Sequence, residues 1–294
     1  MHIALSTDDR YSMACGACIA SIYENNPDRN VKVHILTSGL SRANIARFKS
    51  LSDMYGHTID IIKVNDDCLA GLKLSGRFPV SIYYRLLLPR LLECDKVLYL
   101  DCDIIVNGPL DGIYSHPMSM ECAAVVVEDQ YSDDVVLKER TGVVGRYFNS
   151  GVMLMNLANW RKNQIAEKCI AFIHDNPQIC VYPDQDALNH IIGESVSFVE
   201  YGYNFQELMF GDKTLLRLES SKFGMIDKWI DAPVVIHYSG YHKPWFTDSP
   251  HPRADLFLYY LSHTPWKGIR RRAYFGLTEK SRRQFNKLKS KLFG

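Results

Sequence analysis

No apolar run in the 294 residues approaches the ~20 needed to cross a bilayer, so a membrane-spanning channel or carrier is not expected. The opening stretch, Met1-His-Ile-Ala-Leu-Ser-Thr-Asp-Asp9, lacks the charged start and long apolar core of a secretory leader. It reads as a strand reaching an acidic loop, and a cytoplasmic location is expected. Neither G-x-G-x-x-G nor a Walker loop is present, which argues against ordinary dinucleotide or P-loop binding. Internal repeats and long linkers are missing. So is a disulfide framework: the eight cysteines (15, 18, 68, 94, 102, 122, 169 and 180) are scattered and mostly in apolar surroundings. Cys15-Gly-Ala-Cys18 matches C-x-x-C, but in a helix-like stretch of small residues whose expected use is close packing, with no second pair at zinc spacing. Strong net charge is absent too, at +1 overall. The cancellation is uneven, because residues 263–294 hold ten Lys and Arg against one Glu, while the other 262 residues hold 24 bases and 32 acids. A basic tail on an acidic body needs its own explanation.

What the first hundred residues do show is alternation. Ile3–Leu5, Val33–Leu36 and Ile59–Val64 read as strands, and Ser12–Glu24, Ser41–Met54 and Ser81–Leu92 as helices, before a strand at Val97–Leu100. Such β-α-β order implies an α/β fold with a mainly parallel sheet and helices on both faces. Further along, Ala123–Val127, Val152–Met155 and Pro233–His237 read as strands, and 159–174 and 184–192 as helices. Ligands of such sheets sit beyond the carboxyl ends of strands, where Asp8, Asp9, Asp101 and Asp103 all fall.

Asp101 and Asp103 end the apolar run Val97-Leu-Tyr-Leu100 and are the most informative pair in the chain. Spaced i and i+2, they converge on one hard cation if the backbone turns between them, and carboxylate oxygens favour Mg²⁺, Ca²⁺ or Mn²⁺. A divalent ion there would neutralise a diphosphate leaving group. The same pattern also suits a pair of solvated acids, or a helix cap, closing an ordinary strand.

Six stretches in order decide between these: Ser6-Thr-Asp-Asp9, Tyr84-Arg-Leu86, Leu98-Tyr-Leu-Asp-Cys-Asp103, Phe148-Asn-Ser-Gly151, Asp184-Gln-Asp-Ala-Leu-Asn189 and His237-Tyr-Ser-Gly-Tyr-His-Lys-Pro-Trp245. Together the chain resembles a retaining glycosyltransferase of family 8, the GT-A-fold group that includes bacterial lipopolysaccharide galactosyl- and glucosyltransferases and glycogenin. The resemblance covers about residues 1–250, leaving 251–294 as a basic, amphipathic region.

The resemblance implies that Asp101, Asp103 and His237 hold Mn²⁺, with Mg²⁺ as a substitute; an imidazole beside two carboxylates suits Mn²⁺ better than Ca²⁺. It further implies that Asp8 contacts the uracil of a UDP-hexose, galactose or glucose, although Arg10 stands where many relatives carry Asn. Arg85 would bind donor sugar or phosphate, or pair with Asp101 or Asp103. Asn149 and Ser150 would lie near sugar hydroxyls. Gly240 would let backbone approach the phosphates, and Lys243 would balance their charge. Asp184 matches the position that binds donor-sugar hydroxyls, and Gln185 the residue nearest the reacting face. Retention would run through a covalent intermediate or by front-face attack; a glutamine is a feeble nucleophile, which favours the second. Asp129 is expected to touch an acceptor hydroxyl, or to be a solvated loop acid. Seventeen tyrosines offer sites for glycogenin-like self-glucosylation, but none carries a recognisable motif.

In the tail, Phe285, Leu288 and Leu292 share a helical face among Lys280, Arg282, Arg283, Lys287, Lys289 and Lys291. That pattern suits a helix lying on an anionic membrane surface rather than a nucleic-acid patch, with a saccharide or glycolipid as acceptor and a peripheral site on the inner face of the cell membrane. Two other classes compete with a hexosyltransferase: a D-x-D phosphohydrolase of the haloacid-dehalogenase type, and an idle nucleotide-sugar-binding membrane scaffold. The first fits poorly, because that motif belongs near the start with Thr or Val where Ile105 stands.

Overall fold

The computed structural model describes residues 1–72 and 79–273. Its first half alternates as the apolar pattern requires. Strand β1 (His2–Ser6) leads to helix α1 (Ser12–Asn25), β2 (Lys32–Thr37) to α2 (Arg42–Tyr55), and β3 (Thr58–Lys63) to a 3₁₀ helix over Val80–Leu87 that runs into a short α3 (Leu88–Leu91). Ser41 caps α2 by accepting from the Asn44 amide at 3.3 Å, and Gly56 ends it in the left-handed region at φ 67°. The single helix expected over Ser81–Leu92 is therefore mostly 3₁₀. Pro89 lacks an amide hydrogen and allows only a fresh helical start beside it, at the first positions of α3.

Next come β4 (Lys96–Leu100), β5 (Ile104–Val106), α4 (Asp111–Tyr114), β6 (Ala124–Glu128), α5 (Val135–Thr141) and β7 (Phe148–Asn156). After them α6 (Leu157–Asn163) and α7 (Ile165–Asp175) replace the one helix expected over 159–174. Gln164 breaks it at φ 52°, in the left-handed region. Finally come α8 (Pro183–Ile192), β8 (Val196–Val199), β9 (Phe205–Gln206), α9 (Phe223–Asp227), β10 (Val235–His237) and α10 (Ala254–Ser262).

The main sheet has seven strands in the order β3-β2-β1-β4-β7-β6-β8. β1, β2, β3 and β4 run parallel, β7 lies antiparallel between β4 and β6, and β8 is parallel to β6. The expected mainly parallel α/β sheet is present, and the antiparallel β7 places its first residues at the carboxyl end of β4. Phe148–Gly151 thus open this strand, which starts four residues ahead of the one expected at Val152–Met155. A second sheet, β5-β10-β9, stands beside that end.

α1 is buried nearly all round, which its run of small residues permits. On its outer side lies Trp266, so close that a Cβ on Gly16 would stand 2.5 Å from the indole. Phe257, Tyr260 and Leu261 of α10 belong to the same apolar cluster, and Trp266 donates to Asn44 of α2 at 3.0 Å. Residues 254–266 are thus packed into the body. The tail residues 280–292 lie outside the described residues.

Candidate metal and sugar-nucleotide site

Two backbone contacts make the acidic pair converge. Asp101 follows β4, and its amide donates to the Gly151 carbonyl of β7 at 2.8 Å. Asp103 precedes β5, and its carbonyl accepts from the Tyr238 amide at 2.9 Å, just beyond β10. Antiparallel register sets His237 opposite Ile104, beside Asp103. One ligand atom from each of Asp101, Asp103 and His237 lies within 4.8 Å of the others. The imidazole Nε2 is 3.4 Å from Asp103 Oδ1 and 3.9 Å from Asp101 Oδ2.

The ring is held from behind. Its Nδ1 lies 2.9 Å from Asn204 Oδ1, while Asn204 Nδ2 donates to Asn149 Oδ1 at 2.9 Å. That amide orientation assigns a proton to Nδ1 and turns Nε2 towards the two acids. Asn204 carried no signal in the sequence, where it is one polar residue in a Tyr-rich turn. Gly151 makes the convergence possible, since a Cβ there would stand 2.4 Å from His237 Cε1 and 2.7 Å from Asp101 Oδ2. Two carboxylates and one imidazole suit Mn²⁺ or Mg²⁺, so these three residues fit a divalent cation and would hold it.

Charge around the three is organised. Lys243 donates to Asp103 Oδ2 and to the Tyr238 carbonyl, both at 2.6 Å. Burial disfavours an ionised Asp103, but Lys243 and His237 outweigh it and hold the carboxyl well below the usual carboxylate range. Arg85, buried in the 3₁₀ helix, donates to Asp101 Oδ1 at 2.7 Å and to the Ser150 carbonyl and hydroxyl at 2.6 and 3.0 Å. Its Nε lies 3.2 Å from Asp184 Oδ2. The alternative of an ion pair with Asp101 is what the fold builds. Tyr99 adds a ring 4.4 Å beneath the guanidinium and a hydroxyl 2.9 Å from Asp101 Oδ1. A buried tyrosine two residues before an acid was the available clue to that contact.

β7 and α8 supply the rest. The register between β6 and β7 jumps, with Val126 opposite Met153 but Val127 opposite Asn149. Such an irregularity re-aims side chains, here those of Asn149 and Ser150. Asn189 fastens α8 to β7 by bonding the Phe148 amide and carbonyl, each at 2.8 Å. Asp186, fully buried, accepts from the Tyr147 hydroxyl at 2.5 Å and the Tyr182 amide at 2.8 Å. These two clamp the helix so that Asp184 and Gln185, at its start, reach the site. Asp184 Oδ2 accepts from Ser150 Oγ at 2.9 Å. Burial raises the Asp184 pKa, with Arg85 opposing. Gln185 Oε1 accepts from Asn149 Nδ2 at 3.0 Å and from the Ser150 amide at 3.1 Å. Asn149 Nδ2 also reaches Asp129 Oδ2 at 3.1 Å. Asp129 is no solvated loop acid: it is 3% exposed, and burial pushes its pKa up to about 6 against the pull of the Tyr131 amide.

Among the expected residues, then, Arg85, Asp101, Asp103, Asp129, Asn149, Ser150, Asp184, Gln185, His237 and Lys243 form one connected cluster. Gly240 lies in the loop beyond β10. Asp8 stands apart from the hydrogen-bonded set, its Oδ1 accepting from the Arg10 and Tyr11 amides at 2.9 Å to open α1. Tyr11, in the same turn, meets Trp245 of the loop beyond β10 edge-on, with ring centres 5.4 Å apart.

Comparison with known proteins agrees with this arrangement. The chain is 29% identical over 276 residues to general stress protein A of Bacillus subtilis, covering 92% of this chain and 96% of that one. It is 31% identical over 277 residues to a lipopolysaccharide 1,2-glucosyltransferase of Escherichia coli, covering 91% of this chain and 80% of that one. Its fold superposes with a TM-score of 0.81 on the galactosyltransferase LgtC, solved in complex with donor and acceptor sugar analogues; identity is 26%, over 97% of this chain and 100% of that one. The architecture is accordingly the GT-A arrangement that the motifs implied. The family model for glycosyl transferase family 8 matches residues 2–249, which hold every residue of the cluster, and the chain belongs to that family of glycosyltransferases.

Proposed function

We propose that this glycosyltransferase is a metal-dependent, retaining hexosyltransferase. It would move galactose or glucose from a UDP-sugar to a saccharide acceptor, lipopolysaccharide or another cell-surface glycan. The observation that carries the reading is the convergence of Asp101, Asp103 and His237 within 4.8 Å beside a connected set of sugar-type hydrogen-bonding groups. A bound Mn²⁺ or Mg²⁺ would neutralise charge developing on the diphosphate as the glycosidic bond breaks. Lys243 would add positive charge there, and Gly240 room for backbone amides. Asp8 would accept the uracil imide proton. Asp184 and Ser150, with Arg85 behind them, would hold donor-sugar hydroxyls; Asp129 would receive an acceptor hydroxyl.

Retention by front-face attack is favoured by the state of Gln185. Its carbonyl oxygen already accepts from Asn149 and from the Ser150 amide, leaving it poorly placed to act as a nucleophile. The departing phosphate would then take the acceptor proton. Both relatives and neighbours support the class: one is a glucosyltransferase and another a galactosyltransferase. A D-x-D phosphohydrolase would leave His237 and the Asn149–Gln185 contacts without a role.

The decisive experiment is UDP release from UDP-galactose and from UDP-glucose, with Mn²⁺ and with EDTA. Metal-dependent release with one of the two is expected, rising when a saccharide acceptor is supplied. No release, together with no metal-assisted UDP binding by calorimetry, would falsify the reading.

A further inference from the structure

Asp103 is already paired with a positive charge. Lys243 Nζ sits 2.6 Å from its Oδ2, on one of the three groups that would coordinate a cation. A metal ligated by Asp103 and an ammonium bound to the same carboxylate repel each other, strongly where water is excluded. Lys243 is a point charge on a flexible four-carbon stem, so moving it is cheaper than moving the backbone. It needs somewhere to go.

Glu207 offers that place. It begins a 3₁₀ turn directly after β9, whose Gln206 is paired with His237 of β10. The residue is 5% exposed, and its Oε2 makes no hydrogen bond. A buried carboxylate oxygen left without a donor is costly, and more so when it is charged. The carboxyl is pressed against the loop that carries Lys243: a Cβ on Gly240 would stand 1.5 Å from Oε2 and 2.3 Å from Cδ. Lys243, three residues further along that loop, is the cation whose field acts most strongly on Glu207, and Glu207 in turn acts on Lys243. The Gly240 amide acts on this carboxyl, and among the described residues no side chain of the donor- or acceptor-binding set is bonded to it.

We propose that Glu207 is a positioning residue for Lys243: the ammonium leaves Asp103 Oδ2 for the Glu207 carboxylate as Asp103 becomes a metal ligand, and Glu207 then holds it towards the diphosphate. The inference rests on the metal-dependent reading above. It makes Glu207 a determinant of metal affinity, although it is not a ligand.

The test is a double-mutant cycle read by binding alone. Mn²⁺ affinity is measured by calorimetry and by loss of the free-Mn²⁺ electron paramagnetic resonance signal, without nucleotide, for wild type, Glu207→Gln, Lys243→Met and the double variant. Glu207→Gln should weaken Mn²⁺ binding roughly tenfold, and Lys243→Met should strengthen it. In the Lys243→Met background, Glu207→Gln should have no further effect. An unchanged affinity in Glu207→Gln, or an equal loss in both backgrounds, overturns the proposal while leaving the metal site standing. A wild type that binds no Mn²⁺ overturns both. Melting curves in EDTA establish that each variant is folded, and Glu207→Leu takes the place of Glu207→Gln if the amide variant is not.

Discussion

Asp129 shows how burial turns one side chain into a pH-dependent term. Its pKa rises from 3.8 to about 6 on folding, chiefly because the carboxyl is removed from water. The sign follows from linkage: the folded state binds the proton more tightly, so ionisation opposes folding. The cost is absent below about pH 4, grows as pH rises towards 6, and is complete above that, at on the order of 3 kcal/mol. Denaturant midpoints of wild type and Asp129→Asn, compared from pH 4 to 8, should show wild type losing stability relative to the variant across that window. A difference that stays flat with pH would mean that Asp129 is ionised as readily in the folded chain as in the unfolded one. The residue could be picked out from its place after an apolar strand, but its surroundings could not. Asn149, which fixes its outer oxygen, lies on another strand and reaches it through a register jump that no local pattern announces.

Among the elements, those read correctly were the ones with a strong period: six of the seven strands of the main sheet, all but β8, and the helices α1, α2 and α8. Misreadings fell where backbone geometry, rather than side-chain pattern, decides. Gln164 adopts a left-handed conformation without being glycine, so nothing marks the break between α6 and α7. β5 and β9, with three and two residues, are too short for alternation to show, yet they frame His237. Trp266 makes a further point about elements. It meets Phe48 edge to face with ring centres 4.7 Å apart, bonds Asn44 and lies over Gly16, joining α1 and α2 to the segment after α10. Truncating it to Ala should cost about 3–5 kcal/mol in denaturant unfolding, the usual range for a buried large aromatic. A loss under about 1 kcal/mol would mark residues 254–266 as an appendage rather than part of the body.

At the scale of the whole molecule, charge is divided between an acidic body and a basic end. Lys267, Arg270 and Arg272 are exposed among the last described residues, ahead of the cationic stretch in the tail. We propose that this end holds the protein to an anionic membrane, each cation contributing on the order of 1 kcal/mol near the surface. Exchanging Lys280, Arg282, Arg283, Lys287, Lys289 and Lys291 for Gln should abolish sedimentation with phosphatidylserine liposomes and leave UDP release unchanged. Sedimentation that persists in the variant removes the anchor. Within the body, six strands of the main sheet and β10 of the second follow from the apolar pattern, whereas β8, β5 and β9 do not.

The placement of β10 has a consequence in time. Both aspartates are synthesised by residue 103, but the imidazole that completes the trio arrives only with residue 237, on a strand that pairs back to β5. At the ~5–20 residues per second of translation, the emerging chain spends several seconds with its two acids and no third ligand. A nascent or truncated chain lacking its last quarter would therefore have the main sheet's first strands but only part of the cation trio. On the metal-dependent reading proposed above, such a chain would be silent until residue 237 has been made.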